Sequence, residues 1–213
     1  MKTGHLSESS TLETKAAWFI HKIKQSTAEL HLRLESQALL SAIMKPSVTR
    51  LQYYCYLILM KKIEEVYEKN IVAQLASTFT VFEQRKASQL ISDDLYNISN
   101  TASEILVLTD YTIPEKISLP FAWGFMYVME GSKLGGKVIY KHIHRTLGYS
   151  KNGGANFIAD YGVDTFSLWK EFLSKFSMYV TQNDCEAEAT QGAEYAFSSI
   201  HDFFELNRLA YEI

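Results

Sequence analysis

His31 is the side chain in this sequence whose surroundings best suit a metal ligand. It lies in the segment QSTAELHLRLES, where Thr27, His31 and Glu35 are four residues apart and would share one face of a helix. A neutral imidazole is a good iron ligand, and a metal-bound imidazole usually donates its other N–H to a carboxylate or carbonyl. Glu35 is placed to accept that hydrogen bond. A lone helical histidine is more often a surface or core residue, so this spacing alone leaves both interpretations open.

The other histidines form no recognisable metal-binding pattern. No HxxxH or HExxH motif occurs, and His142 and His144 are too close together to share a helix face. The remaining histidines are His5, His21 and His201. A metal site built from protein side chains alone is therefore disfavoured.

A second unusual feature is a helix-like segment that is rich in glycine, WGFMYVMEGSKLGGKVIYKHI (residues 123–143). It contains Gly124, Gly131, Gly135 and Gly136, and each interior glycine costs about 0.5–1 kcal/mol relative to alanine. Gly131 and Gly135 would lie on one face. A bare face of this kind fits a closely packed neighbouring helix, a kink, or a flat ligand against the backbone.

The elements that must carry these residues are predicted to be helices. The chain has 213 residues with only 3 prolines and 10 glycines, which favours long helices and one all-α domain. The apolar spacing predicts a bundle of about seven or eight helices over residues 11–213, after a loose tail at 1–10. Ser47 is predicted to cap one of them and 148–156 to form a loop. The predicted helices are Thr11–Ser36, Gln37–Met44, one after Ser47, Phe82–Ile98, Leu119–Leu147, Val163–Tyr179 and Asp184–Tyr211.

Composition excludes several classes of function. The formal net charge is -3, so no basic excess points to nucleic acid or an anionic membrane. No apolar run is long enough to span a membrane, and the N-terminus has no signal-peptide core. Cys55 and Cys185 form neither a CxxC motif nor a disulfide framework. We therefore expect a cytoplasmic protein.

Taken together, the two motifs resemble the haem oxygenase family, especially the bacterial branch associated with phytochrome chromophore supply. TAELHLRLE (27–35) is similar to the family's proximal helix, and YVMEGSKLGGKVI (127–139) is similar to its distal-helix motif. The stretches RKASQLISDDL and FIADYG, together with Trp169, also have counterparts. The resemblance covers most of the chain.

The resemblance implies a fold in which haem b lies between the proximal helix and a glycine-kinked distal helix. His31 would be the axial ligand, with Thr27 and Glu35 beside it. Gly131 and Gly135 would bring backbone groups close to bound O₂. It also implies oxidative cleavage of haem to biliverdin, CO and ferrous iron, with electrons from a donor such as ferredoxin or a flavin reductase.

Several further positions take their expected roles from the same resemblance. Ser132 stands where mammalian-type members carry an aspartate, so proton delivery would use Ser132, backbone groups and water. Lys24 would contact a haem propionate, and Phe197 and Phe204 would be apolar pocket residues. Lys170 and Lys175 are weaker propionate candidates.

Two other interpretations remain at the level of sequence. One is a non-catalytic haem carrier or sensor on the same fold. The other is a helical partner-binding domain in which His31 is incidental, and the joint presence of His31 and the Gly131–Gly135 pair argues against it. Only turnover of haem separates the enzyme from the carrier.

Overall fold

Helices make up nearly all of the regular structure. A computed structural model of the protein describes residues 4–76, 86–98, 108–159 and 164–210, with the backbone alone described for 4–11. Within these ranges there are nine α-helices of four or more residues and no β-strand, which confirms the predicted all-α fold. They are α1 (Gly4–Ser26), α2 (Ala28–Glu35), α3 (Ala38–Ile43), α4 (Arg50–Tyr67), α5 (Ala87–Ile98), α6 (Leu119–Leu147), α7 (Asn156–Ala159), α8 (Thr165–Gln182) and α9 (Glu186–Leu206). A π-helical turn, Glu68–Val72, and a short turn, Ala73–Leu75, continue α4, and a 3₁₀ turn, Arg208–Ala210, follows α9.

The histidine-bearing segment is two helices rather than the single helix Thr11–Ser36. Thr27 lies in a turn between α1 and α2, and its hydroxyl donates to the carbonyl of Ile23 at 2.7 Å. A threonine hydroxyl can compete with the helical backbone in this way, a local effect that apolar spacing does not reveal. Helix α1 also begins at Gly4, inside the segment 1–10 for which the sequence predicts a loose tail.

The cap of α4 also differs from its prediction. Thr49, not Ser47, occupies the N-cap position, and its hydroxyl accepts a hydrogen bond from the backbone N–H of Gln52 at 3.1 Å. The side chain of Gln52 in turn accepts from the backbone N–H of Thr49 at 3.0 Å. This reciprocal capping box satisfies two N–H groups that would otherwise lack partners, which explains why the helix begins two residues later than predicted.

The glycine-rich helix α6 spans Leu119–Leu147, as the sequence predicts. Its ends are marked by local chemistry: the Ser118 hydroxyl accepts from the N–H of Phe121, and Gly148 terminates the helix with a left-handed φ of 78°. The helix is α-helical throughout, including at its glycines. The α-helix therefore continues without a break through the glycines at which the sequence predicts a kink.

Part of the glycine content of α6 is explained by its packing against α9. A Cβ at Gly124 would lie 1.8 Å from the carbonyl oxygen of Ala189, and a Cβ at Gly192 would lie 2.1 Å from that of Phe121. Two glycines on facing helices thus let the two backbones touch. At this crossing, the packing of one helix on the other explains why position 124 of α6 is a glycine.

This close approach predicts that Gly124→Ala destabilises the protein by about 3 kcal/mol or more, because backbone atoms on both helices must move apart. Gly135→Ala is the matched control, since a Cβ there would meet nothing within 4 Å. The control should keep or slightly raise stability, by roughly 0.5–1 kcal/mol. Urea unfolding of the two variants measures this contrast, and equal stabilities would show that the packing of α6 on α9 is wrong.

Aromatic side chains fill the core between α1, α6 and α8. Trp123 stacks on Phe176 with ring centroids 5.8 Å apart and on Tyr179 at 5.2 Å. Phe19 meets Phe176 edge to face at 5.2 Å. Much of the aromatic content therefore serves packing.

In the described part of the chain, no helix is long and apolar enough to cross a membrane.

Candidate active site

His31 presents its imidazole at the surface of α2. The side chain is 54% exposed, and its Nε2 lies 3.5 Å from Oε1 of Glu35, one turn further along the helix. Among the described residues Nδ1 has no hydrogen-bond partner. The imidazole is therefore partly exposed beside a carboxylate, a setting common among metal-binding histidines.

One of the two predicted phenylalanines contacts the histidine. Phe197 of α9 meets the His31 ring edge to face, with centroids 5.5 Å apart and planes at 86°, and it is almost fully buried. Phe204 has no exposed surface and packs against Phe203. The structure thus places Phe197 beside the imidazole, where it limits the ring's rotation, and places Phe204 in the core.

Thr27 links the histidine segment to the glycine-rich helix. Its side chain is buried, and it lies beside the phenol of Tyr127 on α6. Burial raises the pKa of that phenol, and the neighbouring Thr27 side chain opposes the rise. His31 is four residues beyond Thr27, and Gly131 is four residues beyond Tyr127. The contact between Thr27 and Tyr127 therefore brings the two motifs to one region of the molecule.

The glycines of the distal motif have different surroundings. A Cβ at Gly131 would lie 3.3 Å from the indole of Trp169 on α8, whereas a Cβ at Gly135 would meet nothing within 4 Å. Gly135 is exposed, and so is Ser132, whose hydroxyl donates to the Met129 carbonyl at 2.8 Å. Trp169 therefore covers the α6 surface at Gly131, while the backbone at Gly135 is open to a ligand.

The three predicted propionate lysines are not equivalent. Lys24 is exposed in the last turn of α1 and forms no ion pair with any described residue. Lys175 is paired with Glu171 at 2.8 Å, and Lys170 lies over the Phe166 ring at 4.5 Å. Lys24 is therefore the cation of the three that is most available to an anionic group.

A buried charged cluster lies on the far side of α6 from the glycines and was not anticipated from sequence. Lys133 forms an ion pair with Glu130, and the phenol of Tyr67 on α4 donates to the same Glu130 oxygen at 2.9 Å. Glu64, also on α4, is buried beside them. The signal available in the sequence was Glu130 and Lys133, which flank Gly131 with the i, i+3 spacing of a helical ion pair.

Glu64 is the least satisfied member of this cluster. Its Oε2 is fully buried and has no hydrogen-bond partner within the described part of the chain. Burial raises the pKa of the Glu64 carboxyl to about 7; Lys133 opposes this rise, and Glu130 and Glu68 add to it. The protonated, neutral form is therefore favoured below neutrality, because a buried unpaired carboxylate is costly.

This carboxyl predicts a pH-dependent stability. The folded-state pKa of about 7 lies above the ordinary value of 4.5. Folding therefore favours the protonated form, and the free energy of unfolding should fall as pH rises from about 4.5 to about 7, then level off. A shift of this size corresponds to roughly 3 kcal/mol. Glu64→Gln should remove this loss, as measured by urea unfolding at about pH 5 and pH 8.

The neighbouring Glu65 supplies the control, since it is exposed and paired with Lys61 at 3.6 Å. Glu65→Gln should unfold with the wild-type pH dependence. If the free energy of unfolding of Glu64→Gln changed with pH as it does in wild type, another group would be responsible for the pH dependence.

Comparison with known proteins agrees with this geometry. The family model described as heme oxygenase matches residues 17–206. The chain is 27% identical to the heme oxygenase PigA of Pseudomonas aeruginosa over 184 residues, which covers 84% of this chain and 87% of that protein. Its fold is similar to that of the heme oxygenase of Neisseria meningitidis, solved with NO and CO bound, at a TM-score of 0.69 and 24% identity over 88% of this chain and 92% of the other.

The matched family range contains both motifs from which the resemblance was predicted, and the prediction of the family is confirmed. The chain belongs to the haem oxygenase family.

Proposed function

We propose that this protein binds haem b between α2 and α6 and cleaves it to biliverdin, CO and ferrous iron. Haem degradation is the activity that the family assigns to the chain. The observation that carries the proposal is the pair of a half-exposed His31 beside Glu35 and an open backbone at Gly135. A flat ligand needs a donor on one side and a face without side chains on the other, and these residues fit both needs.

On the proximal side, His31 would bind the iron and Glu35 would accept the N–H of its other ring nitrogen. That hydrogen bond fixes the tautomer and makes the imidazole a stronger donor. Phe197 restricts the ring from the side. Lys24 would pair with a propionate, while Thr27, bonded to Ile23 and buried beside Tyr127, would act by holding α2 against α6.

On the distal side, Gly135 leaves the α6 backbone uncovered, and Trp169 and Tyr127 form an aromatic wall at Gly131, with ring centroids 5.5 Å apart. Haem would supply the iron that binds O₂ and the ring that is oxidised. The Ser132 hydroxyl donates to Met129, so it can accept from an ordered water and orient it. Such a water would pass protons to the distal side in the absence of an aspartate.

Electrons would come from a reduced carrier protein such as a ferredoxin or a flavin reductase. We place the reaction in the cytoplasm, in keeping with the free thiols of Cys55 and Cys185.

A turnover assay tests this function. The purified protein with one equivalent of haem, O₂ and ascorbate should lose its Soret band and gain the red absorption of biliverdin, which chromatography then identifies. A stable Soret band in the presence of bound haem would instead support the carrier or sensor. Failure to bind haem at all would contradict both.

A further inference from the structure

A line of four aromatic rings leads from the distal motif to the outside of the helical bundle. It begins at Trp169, whose indole covers α6 at Gly131. Trp169 stacks on Phe172 with ring centroids 5.5 Å apart, and Phe172 lies 5.9 Å from Trp123. Trp123 in turn stacks on Tyr179 at 5.2 Å. We call these four residues the aromatic line, and each ring in it contacts the next.

A second route joins the aromatic line at its buried tryptophan. Tyr127 on α6 lies 5.5 Å from Trp169 and 5.9 Å from Phe176, measured between ring centroids. Phe176 stacks almost parallel on Trp123, with centroids 5.8 Å apart and planes at 8°. The buried indole of Trp123 is therefore reached from the distal motif by two routes, each of which crosses a single phenylalanine.

The types of residue in the line matter for oxidation chemistry. Indole and phenol rings lose an electron far more readily than phenylalanine or aliphatic side chains, and two of the chain's 3 tryptophans lie in the line. Phe172 does not interrupt it, because an electron can tunnel across one stacked ring. On the proximal side, the ring that contacts His31 is Phe197, which is hard to oxidise. The easily oxidised rings therefore flank the proposed haem site at its distal wall.

The outer end of the line is suited to meet a soluble reductant. Tyr179 is partly exposed, and the free thiol of Cys185 lies near it. Burial raises the pKa of the Tyr179 phenol, and Cys185 and the exposed Glu188 raise it further. The phenol is therefore protonated at neutral pH and releases its proton when it is oxidised. Solvent at this surface can accept that proton.

We propose that the aromatic line supplies electrons to a haem that a hydroperoxide has oxidised without cleaving the ring, and that a small thiol reduces Tyr179 at the surface. The proposal rests on the proposed function, because a haem held between α2 and α6 lies beside Trp169. A haem left oxidised in its pocket would otherwise attack the protein around it. The line would let the site survive reactions with peroxide that do not lead to biliverdin.

The electron balance of this reaction is simple. In each passage one electron moves from Tyr179 through Trp123 and Trp169 to the haem, and the phenol proton goes to water. A thiol then returns one hydrogen atom to the Tyr179 radical. Two passages and two protons break the O–O bond of one alkyl hydroperoxide and give an alcohol and water. The two thiols that supplied the hydrogen atoms combine to form one disulfide.

The first test locates the radical. The ferric haem complex is treated with tert-butyl hydroperoxide and the nitrone spin trap DMPO, without added thiol, and mass spectrometry of peptides identifies the labelled residue. Wild type should carry the label on Tyr179 or on Cys185 beside it. In Trp123→Phe, which keeps a ring but removes the indole, that label should fall to the level of the haem-free protein. The control Trp18→Phe, which replaces a 55% exposed tryptophan outside the line, should be labelled as wild type is.

Tyr96 provides an internal control in the same experiment. It is 82% exposed on α5, a helix that packs mainly on α4 and not on α8. Radicals that diffuse through solution would label Tyr96 at least as strongly as the less exposed Tyr179. Equal labelling of the two tyrosines in wild type, or unchanged labelling of Tyr179 in Trp123→Phe, would overturn the proposal.

A second variant covers the loss of stability that Trp123→Phe causes by leaving space in the core. Tyr179→Phe removes only a hydroxyl from a partly exposed ring. Electron paramagnetic resonance of samples frozen after the hydroperoxide is added should show a tyrosyl radical in wild type and a tryptophanyl radical in Tyr179→Phe. A tyrosyl signal that persists in Tyr179→Phe would overturn the proposal.

Two measurements separate this proposal from the proposed function. Haem cleavage with ascorbate should be the same in Tyr179→Phe and wild type, since the line takes no part in it. Absence of a bound-haem Soret band, or of biliverdin, in wild type would overturn the proposed function. Glutathione should slow the bleaching of haem by tert-butyl hydroperoxide in wild type but not in Tyr179→Phe, and equal protection in both proteins would overturn the role of the line alone.

Discussion

Replacing His31 by alanine is expected to reduce haem turnover by more than about 100-fold and to remove the ligand field of an axial histidine from the ferric spectrum. The side chain is 54% exposed, so its loss should leave the stability of the protein within about 0.5 kcal/mol of wild type. The effect would therefore come from the lost iron ligand and not from unfolding. Optical and electron paramagnetic resonance spectra of the haem complex provide the measurement.

Two comparisons make this prediction specific. His21→Ala removes an exposed histidine from α1 and should behave as wild type. Added imidazole should restore the ferric spectrum of the His31→Ala protein, because a free ligand can occupy the space that the side chain leaves. A His31→Ala protein with the wild-type spectrum and rate would show that another group binds the iron.

The second large effect is expected from Gly135→Leu, which should weaken haem binding by about tenfold to a hundredfold. A Cβ at Gly135 would meet nothing within 4 Å in the protein alone, so the leucine side chain has room until a ligand lies against α6. The collision with that ligand would cost roughly 1–3 kcal/mol, which sets the expected loss of affinity. Haem titration measures the affinity, and thermal unfolding without haem should show no loss of stability.

Gly153→Leu is the matched control for this substitution. Gly153 lies in the loop after α6, where a Cβ would meet only the Ser150 hydroxyl at 3.6 Å, an ordinary contact. This variant should bind haem as wild type does. If Gly135→Leu also bound haem normally, the open face at Gly135 would not be the haem face.

The sequence predicted the elements whose ends carry strong local signals. Helix α6 is bounded by the cap at Ser118 and by Gly148, and its predicted bounds are those observed. The break at Thr27 was missed because apolar spacing continues through it, and the threonine back-bond to Ile23 leaves no trace in that pattern. The cap at Thr49 was missed because the reciprocal bond with Gln52 decides between two nearby hydroxyl residues.

The tertiary contacts of the α6 glycines show the role of each one, which the sequence could not. Gly124 serves the crossing with α9, Gly131 faces the Trp169 indole, and Gly135 faces open space. Sequence spacing could group Gly131 with Gly135 but could not show what lay above either of them. The sequence allowed three explanations for these glycines: helix packing, a kink or a bound ligand. Only the structure shows what each glycine faces and so distinguishes these explanations.

The sequence spacing pairs Glu130 with Lys133, but the burial of that pair with Glu64 and Tyr67 could not be predicted from it, for a related reason. The segment KKIEEVYEKN has the composition of a solvated helix end, and Glu65 is indeed exposed. Glu64 is buried because α4 turns that face towards α6, where Lys133 offsets part of the cost of its charge. Which of two adjacent glutamates is buried depends on helix rotation in the packed bundle.

The most direct test of the account is a crystal structure of the ferric protein with haem bound. The account predicts an imidazole nitrogen of His31 bonded to the iron, the Glu35 carboxylate accepting from the other ring nitrogen, and the opposite face of the porphyrin against the α6 backbone at Gly135. Iron bound by any other side chain, or a porphyrin that does not contact α6, would contradict it.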